Sequence, residues 1–282
     1  MENSASNSQR IIPPLRLLLL VAAVLVFLAG IQLYILTEKT DRYFAWTINP
    51  PLTAAFMGAG YWAAMLSLLL SARERDWVRV RSSIPTTLVA TVGLLAATLL
   101  HLDRFHTDAP ETITKVAAWV WIVIYVLVPP VLAVLVVQQI RAPGSTPPRT
   151  APLSPALRSI LVIQAVIGIG IGGIFFVAPT EFAENWPWTV SALTGRVVGT
   201  WLMAFGSAAA AIWWENDTRR VELASLALWT VGALQLIALA RYTEYVDFGR
   251  IVTWLYVAYM VSMLAVDLFI WLNARRGRAA GM

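Results

Sequence analysis

Few side chains in this 282-residue chain could do chemistry, and their spacing narrows the chemistry further. There is no cysteine, so no thiolate nucleophile, disulfide framework or Cys-ligated zinc or iron–sulfur centre can form. The two histidines, His101 and His106, lie five positions apart. At one helix end they would point about 140° apart and could not both ligate one haem iron. Without cysteine they also make a poor zinc set. The only lysines, Lys39 and Lys115, sit at or beyond the ends of apolar runs, which excludes a retinal Schiff base in a helical core. No Ser-x-x-Lys, Gly-x-Ser-x-Gly or His-Glu-x-x-His run occurs, so neither a catalytic constellation nor a cofactor is expected. Gly168-Ile169-Gly170-Ile171-Gly172-Gly173 contains GxGxxG, but a dinucleotide site needs a strand before it and a helix N-terminus after it. These glycines lie inside an apolar run. Gly168 with Gly172, and Gly195 with Gly199, instead have the spacing that lets membrane helices approach closely, so the fifth and sixth helices are expected to pack in the centre.

The residues left are candidates for binding. His101 and Arg104 are three apart, on one face at the end of the third apolar run. Arg196 opens the sixth run, where a helix N-terminus favours anions. Arg241 closes the seventh, and Glu244 and Tyr245 would continue its face. Together these six would suit an anionic solute or a lipid headgroup at one mouth. Glu181, Glu184, Glu244, Asp103 and Asp108 are equally able to neutralise the arginines. Asp267 is the deepest ionisable group, and such groups in a membrane are costly enough to mark function by default. It could couple protons, ligate an ion, or pair with an arginine such as Arg275 or Arg276. Gln164 and Gln235 are expected as interhelical hydrogen-bonding glue, and Trp62 and Trp201 as core packing. Pro129-Pro130 frees backbone carbonyls in the fourth run and is a pointer to a site near the midplane.

What must position these residues is a membrane bundle. The chain is 59% hydrophobic and 13% charged, about half the charge of a soluble domain. That excludes an ordinary cytosolic enzyme, a disordered protein and a nucleic-acid binder. Eight runs reach the roughly 20 residues that a bilayer crossing needs. They are 14–36, 51–71, 83–102, 116–140, 157–178, 196–214, 222–241 and 251–273. The first is too long for a signal h-region and reads as a retained helix. The net charge of +5 follows topology, because 14 of the 21 Lys and Arg residues fall on one side and 7 on the other. The richer side holds Arg10, Arg16, Arg73, Arg75, Arg79, Arg81, Arg141, Arg149, Arg158, Arg219, Arg220, Arg275, Arg276 and Arg278. The positive-inside rule then places both termini in the cytoplasm. Asn216-Asp217-Thr218 matches a glycosylation sequon but falls on that side and carries no meaning. Arginine preferred over lysine, with abundant alanine, suits the cytoplasmic membrane of a GC-rich bacterium.

The chain also reads as two related halves. Residues 141–155 form a Pro/Gly/Ser/Thr-rich stretch expected to be a flexible cytoplasmic linker between a repeat over 1–140 and another over 156–282. Trp46-Thr47-Ile48-Asn49-Pro50-Pro51-Leu52-Thr53 leads to Gly58, and Trp188-Thr189-Val190-Ser191-Ala192-Leu193-Thr194 leads to Gly199. In both, Gly follows five residues after the Thr. Four crossings per half would relate the halves by an axis along the membrane normal. Trp46 and Trp186-Pro187-Trp188 are expected as extracytoplasmic aromatic/proline segments at the interface, packed over the outer mouth. These two segments resemble stretches in bacterial multi-span membrane proteins, a resemblance that implies no activity and no catalytic residue.

The expected fold class is therefore all-α integral membrane, with eight transmembrane helices as two parallel four-helix repeats. The expected function is handling of a small solute, ion or lipid, with an outward-facing site between the repeats. The alternatives are an accessory or scaffold subunit packed against a partner or a second copy, and then a membrane enzyme acting on lipid.

Overall fold

The computed structural model describes residues 8–279, and among them it is all helical apart from loops and two isolated bridges. Eight long helices carry the fold: α1 Pro13–Ile35, α2 Pro51–Arg73, α3 Ile84–Leu100, α4 Thr112–Arg141, α5 Pro155–Val177, α6 Ala192–Glu215, α7 Glu222–Arg241 and α8 Ile251–Ala279. All eight are long and apolar enough to cross a membrane, which makes this a multi-pass membrane protein. The clearest departures at helix starts are α4 and α6, which begin at Thr112 and Ala192 where the apolar runs suggested 116 and 196. The Arg278 side chain, counted with the richer side, lies outside the described residues.

Polarity and burial are inverted relative to a soluble protein. The most apolar helices are outermost: over their most apolar windows α1, α4 and α5 are 28, 22 and 33% buried. The less apolar α2, α6 and α7 form the centre, at 72, 67 and 61%. Lipid imposes this, because an apolar side chain gains nothing by leaving hydrocarbon, and helices associate through close packing and hydrogen bonds. Small residues accordingly line the centre, among them Ala54, Ala59 and Ala63 of α2 and Ala204, Ala208 and Ala209 of α6. Large ones such as Val24, Val134 and Val166 face outward.

Helices pack α1 on α2, α3 on α4, α5 on α6 and α7 on α8. Contacts then cross between the two halves of the chain, α2 on α7 and α3 on α6. The α5–α6 seam is the closest. A Cβ placed on Gly172 would lie 2.5 Å from the Gly199 carbonyl oxygen, and one on Gly199 would lie 2.6 Å from that of Gly172. These glycines are backbone-to-backbone contacts, as the small-residue spacing implied. The two glutamines are interhelical ties. Gln235 donates from Nε2 to the Phe56 carbonyl (2.8 Å) and accepts from the Tyr256 hydroxyl (3.0 Å), joining α7, α2 and α8. Gln164 donates to the Ser262 hydroxyl at 3.2 Å, joining α5 to α8.

The arginine-rich end is held by ion pairs. Arg81 makes a two-point bond to Glu215 (2.6 and 2.7 Å), and Arg79 bridges Glu74 and Glu222, both at 3.0 Å. The 141–155 segment is not a loose tether here. Asp217, buried in the α6–α7 turn, accepts from the backbone N–H of Thr150 and Ala151, and Arg149 donates to the Glu215 carbonyl at 2.8 Å. Its Pro- and Gly-rich composition removes helix, and Asp217 supplies the partners that fix it in one path.

The opposite end departs from the expected aromatic belt. Trp46, Trp186 and Trp188 are 2, 4 and 3% exposed, stacked inside the bundle. Trp46 lies 5.0 Å from Trp121 of α4, and Trp188 lies 5.4 Å from Tyr256 of α8, ring centre to ring centre. The Trp188 indole donates to the Thr53 hydroxyl at 2.9 Å. Aromatic neighbours hold all three rings inside the bundle, although the Trp46 and Trp186 indole N–H groups have no hydrogen-bond partner among the described residues.

Candidate functional site

The residues singled out at the outer mouth divide into two places. Arg196 donates from Nη1 to Nε2 of His101 at 2.8 Å, so α6 of the second half meets the end of α3 of the first. Accepting at Nε2 leaves His101 with its proton on Nδ1. Partial burial and then the Arg196 charge hold the His101 pKa below its ordinary value. Beside this pair lies a polar pocket of about 400 Å³, lined by His101, Arg104, His106, Thr47 and the Ser191–Leu193 helix start. Arg104, on a short turn after α3, pairs with Asp103 at 3.1 Å in the open. His106 donates from Nδ1 to the Phe44 carbonyl (3.2 Å) and accepts at Nε2 from the Thr47 hydroxyl (3.1 Å). Arg196 does not open α6. The helix starts at Ala192 behind a Ser191–Thr194 capping box, and Arg196 stands one turn in.

Arg241, Glu244 and Tyr245 do not join this pocket. Arg241 donates to the Tyr34 carbonyl of α1 at 3.0 Å and stacks on Tyr242. α7 ends at Arg241, so Glu244 and Tyr245 sit on a separate exposed turn instead of continuing its face. The single six-residue mouth is therefore replaced by a His101–Arg104–Arg196 group and an Arg241 tie to α1. Asp267 is fully buried on α8, and neither carboxyl oxygen has a hydrogen-bond partner. The Ser225 hydroxyl of α7 is near it but not in bonding geometry. Among the described residues no arginine, Arg275 and Arg276 included, pairs with Asp267, and Arg275 stacks on Trp271 at 4.9 Å.

A feature inside the bundle was not legible as a motif. A chamber of about 110 Å³ lies between α1, α2, α3, α4, α6 and α7, its wall overwhelmingly apolar and without an ionised residue. Tyr61 of α2 and Tyr125 of α4 meet at its side, hydroxyl to hydroxyl at 2.5 Å. Leu25, Val26, Tyr61, Ile124 and Tyr125 also line a second space, a groove of about 250 Å³ between α1 and α4. Near the arginine-rich end the two helices are clamped by Leu15, Leu19 and Leu132, and by Gln139, which accepts from the Ile12 N–H at 2.8 Å. The groove lies between them towards the other end, where α1 finishes in a π-helical turn, Ile31–Ile35, that includes the groove residue Gln32. Leu28, Val116 and Val120 form its rim and are about half exposed. Pro129 and Pro130 lie one turn beyond Tyr125, where they leave the Tyr125 and Val126 carbonyls without helical donors. Trp201 is packed in the core as expected, lying 5.0 Å from Tyr61, and it also lines the chamber. Two tyrosines near mid-span in α2 and α4 were the available sequence signal.

Neither a protein-family model, nor a curated protein, nor a solved structure matches this chain.

Proposed function

We propose that this protein takes up a lipid-soluble molecule sideways from the membrane, between α1 and α4, and holds it in the chamber beside Tyr61 and Tyr125. The continuity of groove and chamber through shared residues carries this reading. The ~150 Å³ that takes benzene exceeds the chamber's about 110 Å³ alone, but chamber and the adjoining groove of about 250 Å³ together offer more than that, behind a mostly apolar wall. The guest's source is then the hydrocarbon phase on which the groove opens. Of the expected activities, lipid handling fits this wall best, and an ionic solute fits it worst.

The two quartets are read as parallel repeats in a bacterial cytoplasmic membrane, with both chain ends in the cytoplasm. Exchanged packing of α2 on α7 and α6 on α3 supports this, as do Gly58 against Leu33-Tyr34 and Gly199 against Phe175-Phe176. Gly60 and Trp201, each two residues beyond those glycines, touch across the centre, as equivalent positions on a two-fold axis must. The groove then opens in the outer leaflet. A second reading rests on the polar pocket at His101, Arg104 and Arg196, which has the chemistry to hold an anionic headgroup or solute. Loss of binding of a phosphate-bearing soluble probe in the Arg104→Ala, Arg196→Ala double variant would favour it.

Lateral entry is testable because the chain has no cysteine. Ala63→Cys places a thiol at a buried chamber position. In liposomes it should react with a maleimide on an alkyl chain and not with a charged water-borne thiol reagent. Ala29→Trp, which fills the groove, should slow the reaction. Equal reaction with both reagents, or indifference to Ala29→Trp, would refute lateral uptake.

A further inference from the structure

Resting on that lateral-uptake reading, we infer that the molecule held in the chamber is neutral and carries a hydrogen-bond-accepting oxygen, as a carbonyl or ether head, on an apolar tail. The argument is an account of donors. Tyr61 and Tyr125 share one hydrogen between their oxygens, so the other hydroxyl hydrogen has no acceptor among the described residues. The Trp201 indole N–H and the Thr86 hydroxyl, on two further helices lining the chamber, are buried and likewise unpaired. Their neighbours behave differently: Thr87 donates to the Ser83 carbonyl (3.1 Å) and Thr91 to the Thr87 carbonyl (2.8 Å). Buried donors without partners are unfavourable, and a cluster of them in a dry chamber is satisfied by an acceptor brought by the guest. With no Lys, Arg or His on the wall, an anionic head would be buried without a counter-charge, which excludes a carboxylate or phosphate here. The chamber alone is smaller than the ~150 Å³ that takes benzene, so a ring-sized head uses the chamber and its shared wall with the α1–α4 groove, and the groove leads a chain away from it.

The experiment compares two probes that differ only in acceptors: a decyl-substituted para-benzoquinone and decylbenzene. Binding to the full-length protein in nanodiscs is measured by native mass spectrometry. The quinone is expected to bind tighter by about tenfold or more, as two hydrogen bonds in apolar surroundings imply. Trp201→Phe, and separately Tyr125→Phe, should each weaken quinone binding by roughly five- to tenfold and leave decylbenzene binding unchanged. Retained decylbenzene binding shows that a variant is folded, and Tyr125→Phe covers the case in which Trp201→Phe is not. Equal affinity for the two probes overturns the acceptor inference while leaving lateral uptake standing. Both variants weakening both probes alike overturns it in the same way. If neither probe binds, lateral uptake and the acceptor inference fall together.

Discussion

The glycines of α5 offer an internal comparison within one apolar run. Gly172 faces α6, and an added Cβ would sit 2.5 Å from the Gly199 carbonyl oxygen and 2.7 Å from the Met203 nitrogen. Gly170 and Gly173, beside it in sequence, would meet nothing within 4 Å. Ordinary carbon–oxygen contact is about 3.4 Å or more, so Gly172→Ala must push α5 and α6 apart by most of an ångström. Both near atoms are backbone and cannot rotate away, and α6 is the helix that α5 packs against most closely. Overpacking of this kind costs about 1–3 kcal/mol, against at most ~1 kcal/mol returned by the better helix propensity of alanine. Gly170→Ala and Gly173→Ala keep the propensity gain without the clash and should be neutral or slightly stabilising. Thermal midpoints in detergent micelles should therefore fall for Gly172→Ala and Gly199→Ala, and hold or rise for the other two. Equal behaviour of all four would show that these glycines do not form the helix contact, and the reading of this run as a packing face would fail.

Three further outcomes follow from individual contacts. His101 has a pKa held below the ordinary 6.5, so the unfolded chain binds more protons than the folded one as the pH falls through that value. Stability from this group is present above the unfolded value and lost on acidification, and a thermal midpoint–pH profile should be flatter below about pH 6.5 in His101→Gln. An unchanged slope would mean that the Arg196–His101 bond does not set it. Asp267 has no cation and no bonded partner, so Asp267→Asn should leave the midpoint unchanged or raise it. Asp217→Asn should cost about 1.5–3 kcal/mol in the same assay, because a charged oxygen serving backbone N–H groups is replaced by a donor. A reversed order for these two aspartates would contradict their assigned surroundings.

Much of the architecture is legible in the residues. Crossing lengths follow from uninterrupted apolar runs, and Gln164 and Gln235 announce helix contacts because an amide in hydrocarbon must find a partner. The glycine spacing places the fifth and sixth helices at the centre, which holds for α6, whereas α5 is only 33% buried over its most apolar window. α2 and α7 were not read as central, although α2 is visibly poorer in large apolar residues than α4. The rule inherited from soluble proteins points the wrong way in lipid. A start one turn earlier moved Arg196 off the N-terminus of α6. α7 ends at Arg241 as its apolar run does and the chain then leaves the helix, so Glu244 and Tyr245 part from Arg241 and the expected mouth is dispersed. The 141–155 segment has the composition of a free linker, and what fixes it, Asp217 together with Asn216 and the Glu215 carbonyl, lies 60 to 62 positions after its end. The chamber is the hardest case. Tyr61 and Tyr125 are 64 positions apart, and nothing local to either announces the other.

Lateral entry is most directly tested by photolabelling with a membrane-dissolved alkyl diazirine, read residue by residue. Outward residues such as Val166 and Val134 will be labelled in any case, because lipid touches them. The account predicts additional labelling of Tyr61 and Tyr125, which are 3 and 7% exposed, and its loss on filling the groove with Ala29→Trp. Labelling confined to the outer faces, with both tyrosines unmodified, would contradict it.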